Sequence, residues 1–398
     1  MRMTKQTLLI SNLLCTFMAV LMLFAAAPAK AQLEIDVTKG SIEPLPIAVS
    51  PFYDFNSLQT PLAQRMPAVI MENLERTGLF QPLNPRGYIQ SPKSIHKDNP
   101  RFGEWRAINA EALVTGNMTR AADGRLRIEF RLWDVYGERQ LIGMAYTTEE
   151  DNWRRIAHII SDEIYKRITG EDGYFDSRIV YIAESGPRDA RVKRLAIMDQ
   201  DGANHKFLTD GRALVLTPRF SPNQQMITYL AYYNDEPRVY IYDLQTGSQE
   251  ALGRFPGMTF APRFSPDGRG VVMSFSKNGN SDIYVMDIQS KQLKQLTSHY
   301  AIDTSPSFSP DGANVVFESD RGGSQQLYVM DSNGNNVKRI TFGKGRYGNP
   351  VWSPRGDIVT STAQGQAVTR YAAPMPHGAT PIRLEDGSVA LGGKLGAR

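Results

Sequence analysis

The sequence predicts two domains, a small N-terminal α/β domain followed by a β-propeller. Three observations carry this expectation. Ser-Pro pairs recur every 44 residues, at Ser221-Pro222, Ser265-Pro266, Ser309-Pro310 and Ser353-Pro354. Two further positions keep the same beat: Asp199, Asp243, Asp287 and Asp331, and Thr209, Gly253, Thr297 and Thr341. Helical signal is confined to the residues before about 170, and only strand repeats follow. Repeats of about 40–45 residues rich in short strands are the mark of propeller blades, each a four-stranded sheet.

The chain of 398 residues opens with an export signal over residues 1–31. Arg2 and Lys5 precede an apolar run from Leu8 to Ala27, and Ala29-Lys30-Ala31 gives a small-residue cleavage site before Gln32. The run approaches membrane-spanning length, so an uncleaved anchor is the rival reading. Leu13-Leu14-Cys15 lacks the small residue wanted before a lipidated cysteine. Cleavage would remove Cys15, the sole cysteine, and leave a thiol-free chain suited to an oxidising bacterial periplasm. It would also remove three basic residues, leaving 42 basic against 41 acidic ones and a net charge of +1. No basic run of five or more occurs, so a nucleic-acid partner has little electrostatic support.

The α/β domain is expected over residues 44–170, behind a short leader at 32–43. Ile47 to Phe52 reads as a buried strand ended by proline. Leu62, Met66, Val69, Ile70 and Leu74 form one apolar face of a helix from Pro61 to Thr77. Asn84 to Arg101, with prolines at 85, 92 and 100, reads as a polar loop. Ala110–Met118 and Arg125–Val135 read as a hairpin, with Leu126, Ile128, Phe130 and Leu132 alternating against charged neighbours. Gln140–Tyr146 adds a strand, and Trp153, Ile156, Ile160, Ile164 and Ile168 line a closing helix. This order predicts a sheet with helices on one side. Trp133 reads as core or edge packing.

The blades are expected over residues 177–356. One reads whole: Gly270–Phe275, a turn at Lys277–Asn280, Asp282–Asp287, Lys291–Thr297, then Ser305–Phe308 of the next unit. Phe220, Phe264, Phe308 and Trp352, each just before a Ser-Pro pair, are expected in the core between blades. The four in-phase aspartates are expected to accept turn amide hydrogens. No G-x-S-x-G elbow, H-E-x-x-H pair or full calcium-loop spacing occurs. His96, His158, His205, His299 and His377 form no sequence cluster, and His299 beside Tyr300 and Asp303 suits a partner contact better than general-base work.

Several stretches together resemble the TolB family, periplasmic components of the bacterial Tol-Pal system. They are Pro46 to Phe52, Ile70 to Phe80, Phe130 to Val135, and the blade runs Ile283 to Asp287 and Leu327 to Asp331 with Ser-Pro-Asp-Gly turns. The resemblance covers about residues 32–356. It implies a non-enzymatic, monomeric adaptor without cofactor or metal, linking TolA of the inner membrane to the outer-membrane lipoprotein Pal. Such an adaptor supports envelope integrity and outer-membrane constriction in cell division. It places TolA binding on the leader, where Leu33, Ile35 and Val37 alternate with polar residues as in a strand added to a partner's sheet. Packing of the leader on its own propeller is the other reading. The resemblance places the Pal-binding face on Met258, Thr259 and Ala261, on Tyr300, Asp303 and Thr304, and on Arg346, Tyr347 and Asn349. Met258 stands where the family can carry a histidine.

The family has six blades, and about four repeats are recognisable here. A further repeat would put an aspartate at position 375 and a Ser-Pro serine at 397, where the chain has Met375 and Ala397. Residues 357–398 therefore read as an atypical tail without blade pattern from Thr360 on, as a frameshift or truncation would leave. An incomplete six-blade arc is favoured over a closed four-bladed ring. A periplasmic propeller hydrolase or lyase, and a solute-binding propeller, are the alternatives in function. The enzyme would need a nucleophile and base supplied by a linked domain or by channel-facing loops, and the sequence shows neither; the solute binder would use the central channel.

Overall fold

The computed structural model describes residues 43–55, 61–234, 236–253, 258–277, 279–342, 345–353, 356–362 and 369–372. The export signal, the leader with Leu33, Ile35 and Val37, and the tail beyond residue 372 lie outside the described residues. The chain divides into two compact units after Phe175.

In the first unit, β1 (Leu45–Val49) lies between β3 (Phe80–Pro82) and β4 (Ala112–Arg120), parallel to both. β4, β5 (Leu126–Asp134) and β6 (Arg139–Thr148) continue antiparallel, and β2 (Tyr53–Asp54) pairs with β4. Alternation along the strands sends side chains to two faces. Ile47, Val49, Val114, Ile128 and Phe130 meet helices α1 (Pro61–Glu75) and α4 (Trp153–Thr169) through Met66, Ile70, Leu74, Ile160 and Ile164. Buried Asn73 of α1 ties the two helices, donating to Ser161 Oγ at 3.0 Å. Gly170 in the left-handed region closes α4 at φ 74°, its amide donating to the Lys166 carbonyl.

The opposite face corrects two expectations. Helices were expected on one side only and residues 84–101 as a loop. Instead α2 (Pro92–Asp98) and α3 (Phe102–Arg106) cover Ala48 and Leu113 with Ile95 and Trp105. The prolines that suggested a loop serve as helix starters: Pro92 takes the first turn of α2, and the Ser91 hydroxyl accepts the Ser94 amide at 3.3 Å. Buried Gln90 pins the segment, its Oε1 accepting from the Arg101 amide at 2.9 Å and from Trp105 Nε1 at 3.1 Å. Trp133 packs edge-on to Phe102 and donates to Thr115 Oγ1 at 3.0 Å, a packing role.

The second unit holds five antiparallel sheets among the described residues. They are β7 (Arg178–Ser185) to β9 (Lys206–Phe207); β10 (Leu214–Phe220) to β13 (Gln249–Ala251); β14 (Met258–Phe264) to β17 (Leu293–Gln295); β18 (Asp303–Phe308) to β21 (Lys338–Arg339); and β22 (Tyr347–Trp352) to β24 (Thr369–Ala372). The core lies between successive sheets. Phe264 packs among Val239, Ile241 and Val271, and Phe308 lies against the cluster of Val272, Ile283, Val315 and Phe317. Phe220 and Trp352 take the matching places in the outer pairs.

The in-phase positions divide by chemistry. Asp243 Oδ1 accepts the Gln245 and Thr246 amides, and Asp287 Oδ1 accepts the Ser290 amide, at 2.7–3.0 Å. These turn amides hold both carboxyls below the usual aspartate range. At Asp199 and Asp331 the side-chain amides of Asn204 and Asn336 donate at 2.6 Å. The threonines act as clamps: Thr209, Thr297 and Thr341 Oγ1 accept the amides of Leu195, Ile283 and Leu327, each at 2.9 Å.

The tail reading needs a correction. Thr360 was expected to begin a stretch without blade pattern, yet β23 (Asp357–Thr362) runs through it and pairs with both β22 and β24. Backbone pairing does not require the Ser-Pro beat. Ile358, buried against Val316 and Leu327, anchors a strand of β-branched residues.

Candidate partner-binding face of the propeller

The first strands of four sheets, β10, β14, β18 and β22, each carry a β-bulge one or two residues from the strand's start. The register slips between Leu216 and Arg219, Phe260 and Arg263, Thr304 and Ser307, and Gly348 and Val351. Pro218, Pro262, Pro306 and Pro350 sit inside these slips. Proline has no amide to give the ladder, so a strand proline is accommodated at a bulge. The residue before it takes positive φ at Thr217 (48°), Ser305 (53°) and Asn349 (50°). That conformation is costly for a β-branched residue such as Thr217 and needs surrounding support.

The support is plainest between β18 and β22. Glu318, buried on β19 (Asn314–Ser319), accepts from Thr304 Oγ1 at 2.6 Å and Ser305 Oγ at 2.8 Å with one oxygen. Its other oxygen accepts the Asn349 amide of the next sheet at 3.0 Å. Beside it, Arg321 Nη2 donates to Asp303 at 2.6 Å, and the guanidinium lies 5.3 Å from the Phe317 ring and 5.1 Å from the Tyr328 ring.

The expected Pal-face residues divide between surface and support. Tyr300 is 85% exposed, its ring 4.2 Å from that of His299. Ile302 beside it is also exposed, its amide held by Asp320 Oδ1 at 2.9 Å. Arg346 and Asn349 are exposed, and Tyr347 is half-buried with its amide on the Gln325 carbonyl at 3.0 Å. Asp303, expected on the face, is wholly buried in its pair with Arg321, and half-buried Thr304 is spent on Glu318. Met258, Thr259 and Ala261 fall on β14, paired with β15 (Gly270–Lys277), at the backbone positions equivalent to Ile302, Asp303 and Ser305.

Asp282 completes the underside. Its carboxylate accepts the His299 amide at 3.2 Å and the Thr297 hydroxyl at 3.3 Å. Burial raises its pKa, and the nearby Asp303 charge adds to the rise. Gln326, one repeat on, does the same work without charge: its Oε1 accepts the Thr341 hydroxyl at 2.7 Å and its Nε2 donates to the Gly345 carbonyl.

Sequence reasoning missed Glu318, Arg321 and the bulge. The prolines at a 44-residue spacing inside strands were the available signal for the bulge. Glu318 and Arg321 gave none, because Ser274 and Lys277 stand one repeat earlier.

An α/β domain followed by successive antiparallel sheets of three or four strands, with backed loops at one end of the strands, defines a two-domain propeller protein. The sequence matches the TolB amino-terminal domain over residues 33–141 and the TolB beta propeller domain over residues 165–379. The chain therefore belongs to the TolB family of periplasmic Tol-Pal proteins, and its described sheets form a partial TolB-type propeller. It is 55% identical over 236 residues to the Tol-Pal system protein TolB of Paramagnetospirillum magneticum, a match covering 59% of this chain and 53% of that one. The chain thus spans about half the length of this relative. The crystal structure of TolB from Acinetobacter baumannii superposes with a TM-score of 0.71 at 30% identity, covering 85% of this chain and 82% of that one.

Proposed function

We propose that this chain is a non-enzymatic, monomeric adaptor that joins TolA of the inner-membrane complex to outer-membrane Pal, supporting envelope integrity and constriction at division. The observation that carries the reading is a set of exposed groups on a rigid base. Tyr300, Ile302, Arg346 and Asn349 are exposed at the starts of neighbouring sheets, while Asp303 and Glu318 are buried and Arg321 is half-buried against Asp303. Aromatic and arginine side chains held in place are the usual anchors of a protein interface. Pal is assigned to this face, including the equivalent backbone of Met258, Thr259 and Ala261. TolA is assigned to the leader, through Leu33, Ile35 and Val37.

Affinity capture from crosslinked envelopes tests both assignments. The intact protein is expected to retain Pal and TolA. Tyr300→Ala with Arg346→Ala should lose Pal and keep TolA, and deletion of residues 32–39 should do the reverse. Capture of neither partner by the intact, folded protein would refute the adaptor reading.

A further inference from the structure

The inner strands carry a second feature that the partner face does not use. Arg219 of β10 and Arg263 of β14 occupy equivalent positions one repeat apart, each immediately after the bulge proline. The two strands adjoin. Burial first, and then the charge of Arg219, push the Arg263 guanidinium down to about 10. Arg219 keeps solvent access, and partial desolvation lowers its pKa as well. Among the described residues, no ion pair joins either arginine to a carboxylate. Two acids of the neighbouring sheet have cations or donors of their own, Asp303 in its pair with Arg321 and Glu318 with three donors. Arg219 Nη1 donates to the carbonyl of its neighbour Pro218 at 2.9 Å. Arg263 Nε is buried with no hydrogen-bond partner.

A buried guanidinium nitrogen without an acceptor is costly, and a second cation beside it adds to the cost. Such a pair is stable where an anion completes it. We propose that Arg219 and Arg263 form an oxyanion-binding site on the inner strands of the propeller, taking a carboxylate or phosphate group between the two guanidinium forks. The planar five-donor guanidinium suits these groups, which accept two parallel hydrogen bonds. Ser307 and Val351 replace the arginines in the next two repeats, so the site is confined to the sheets of β10 and β14.

Calorimetric titration and thermal unfolding of the purified protein test the site, with inorganic phosphate and a blocked Glu-Asp dipeptide as probes and chloride at equal ionic strength as control. Saturable binding of either probe is expected, with a melting midpoint higher by roughly 2–4 °C at about ten times Kd. A tighter dipeptide identifies a protein carboxylate as the source, and a tighter phosphate identifies a free or headgroup phosphate. Arg263→Gln and Arg219→Gln should each abolish the shift. Without ligand each variant should melt no lower than the parent, since one of two repelling cations is gone. Absence of binding by both probes, or an unchanged ligand shift in the two variants, overturns the proposal. A ligand-free variant that melts well below the parent also overturns it, because the arginines would then be satisfied within the fold.

Discussion

Glu318 accepts the Asn349 amide at 3.0 Å and so ties the bulge of one propeller sheet to the bulge of the next. The same carboxylate holds Thr304 and Ser305 in its own sheet. One buried acid therefore fixes the relative position of two loops that carry the proposed face.

The two oxygens can be tested apart. Glu318→Gln keeps an acceptor for the Thr304 and Ser305 hydroxyls but turns an amide donor toward the Asn349 N–H. The contact between sheets is lost while the contacts within the sheet survive. A loss of about 1–2 kcal/mol is expected, against about 3 kcal/mol for Glu318→Ala. Hydrogen exchange checks the mechanism: the Asn349 amide should exchange faster in both variants. Unchanged protection there would show that the carboxylate does not join the sheets.

The threonine clamp gives a second test. Three sheets use it, but Gly253 occupies its place in the sheet of β10–β13 and offers no hydroxyl. Gly253→Thr should raise stability by about 1 kcal/mol, through one added hydrogen bond and a less flexible unfolded chain. Thr297→Val should lower it by about 1–2 kcal/mol, leaving the Ile283 amide without its acceptor. Equilibrium urea unfolding of the two variants measures both. A Gly253→Thr protein weaker than the parent would mean the local backbone rejects the clamp.

Much of the fold was legible because periodicity reports burial. The step of 44 residues located the sheets, and the period of Leu62 to Leu74 located α1. Residues 84–101 were misread because proline marks both loops and the first turn of helices. Only the Ser91 cap and the buried Gln90 contacts separate the two. The tail was misread because a lost motif is not a lost strand: Thr360 lies in β23 although no Ser-Pro turn follows on the beat. At the site, exposed loop residues such as Tyr300 and Arg346 could be placed by counting. The burial of Asp303 could not, since it depends on Arg321, which is 18 residues away and unrepeated.

Asp282 predicts a pH dependence with a definite sign. Its folded pKa lies above the ordinary aspartate value, so the unfolded chain ionises more readily. The ionised group thus opposes folding above the folded pKa, and the cost vanishes below the unfolded value. Asp282→Asn should raise the melting midpoint by about 1–2 °C near pH 7 and have little effect near pH 3.5. Gln326 shows that a neutral amide can fill the equivalent place. Scanning calorimetry at the two pH values checks this. A variant destabilised at neutral pH would show that the carboxylate's acceptor role outweighs its burial.

The pair of Asp303 and Arg321 separates support from contact. Asp303→Ala leaves the Arg321 guanidinium largely buried without its counter-charge, and the expected loss is about 3 kcal/mol. Replacing both, as Asp303→Ala with Arg321→Met, removes the stranded charge and keeps an apolar stem against Phe317 and Tyr328. The double variant should recover at least about 1 kcal/mol of that loss. Neither side chain is assigned to touch Pal. With the loop intact, the double variant should therefore hold Pal better than Tyr300→Ala does, although Tyr300→Ala should unfold almost as the parent does. Urea unfolding and Pal binding measured on the same preparations decide the matter. A double variant that is as stable as the parent yet loses Pal would place Asp303 or Arg321 in the interface itself.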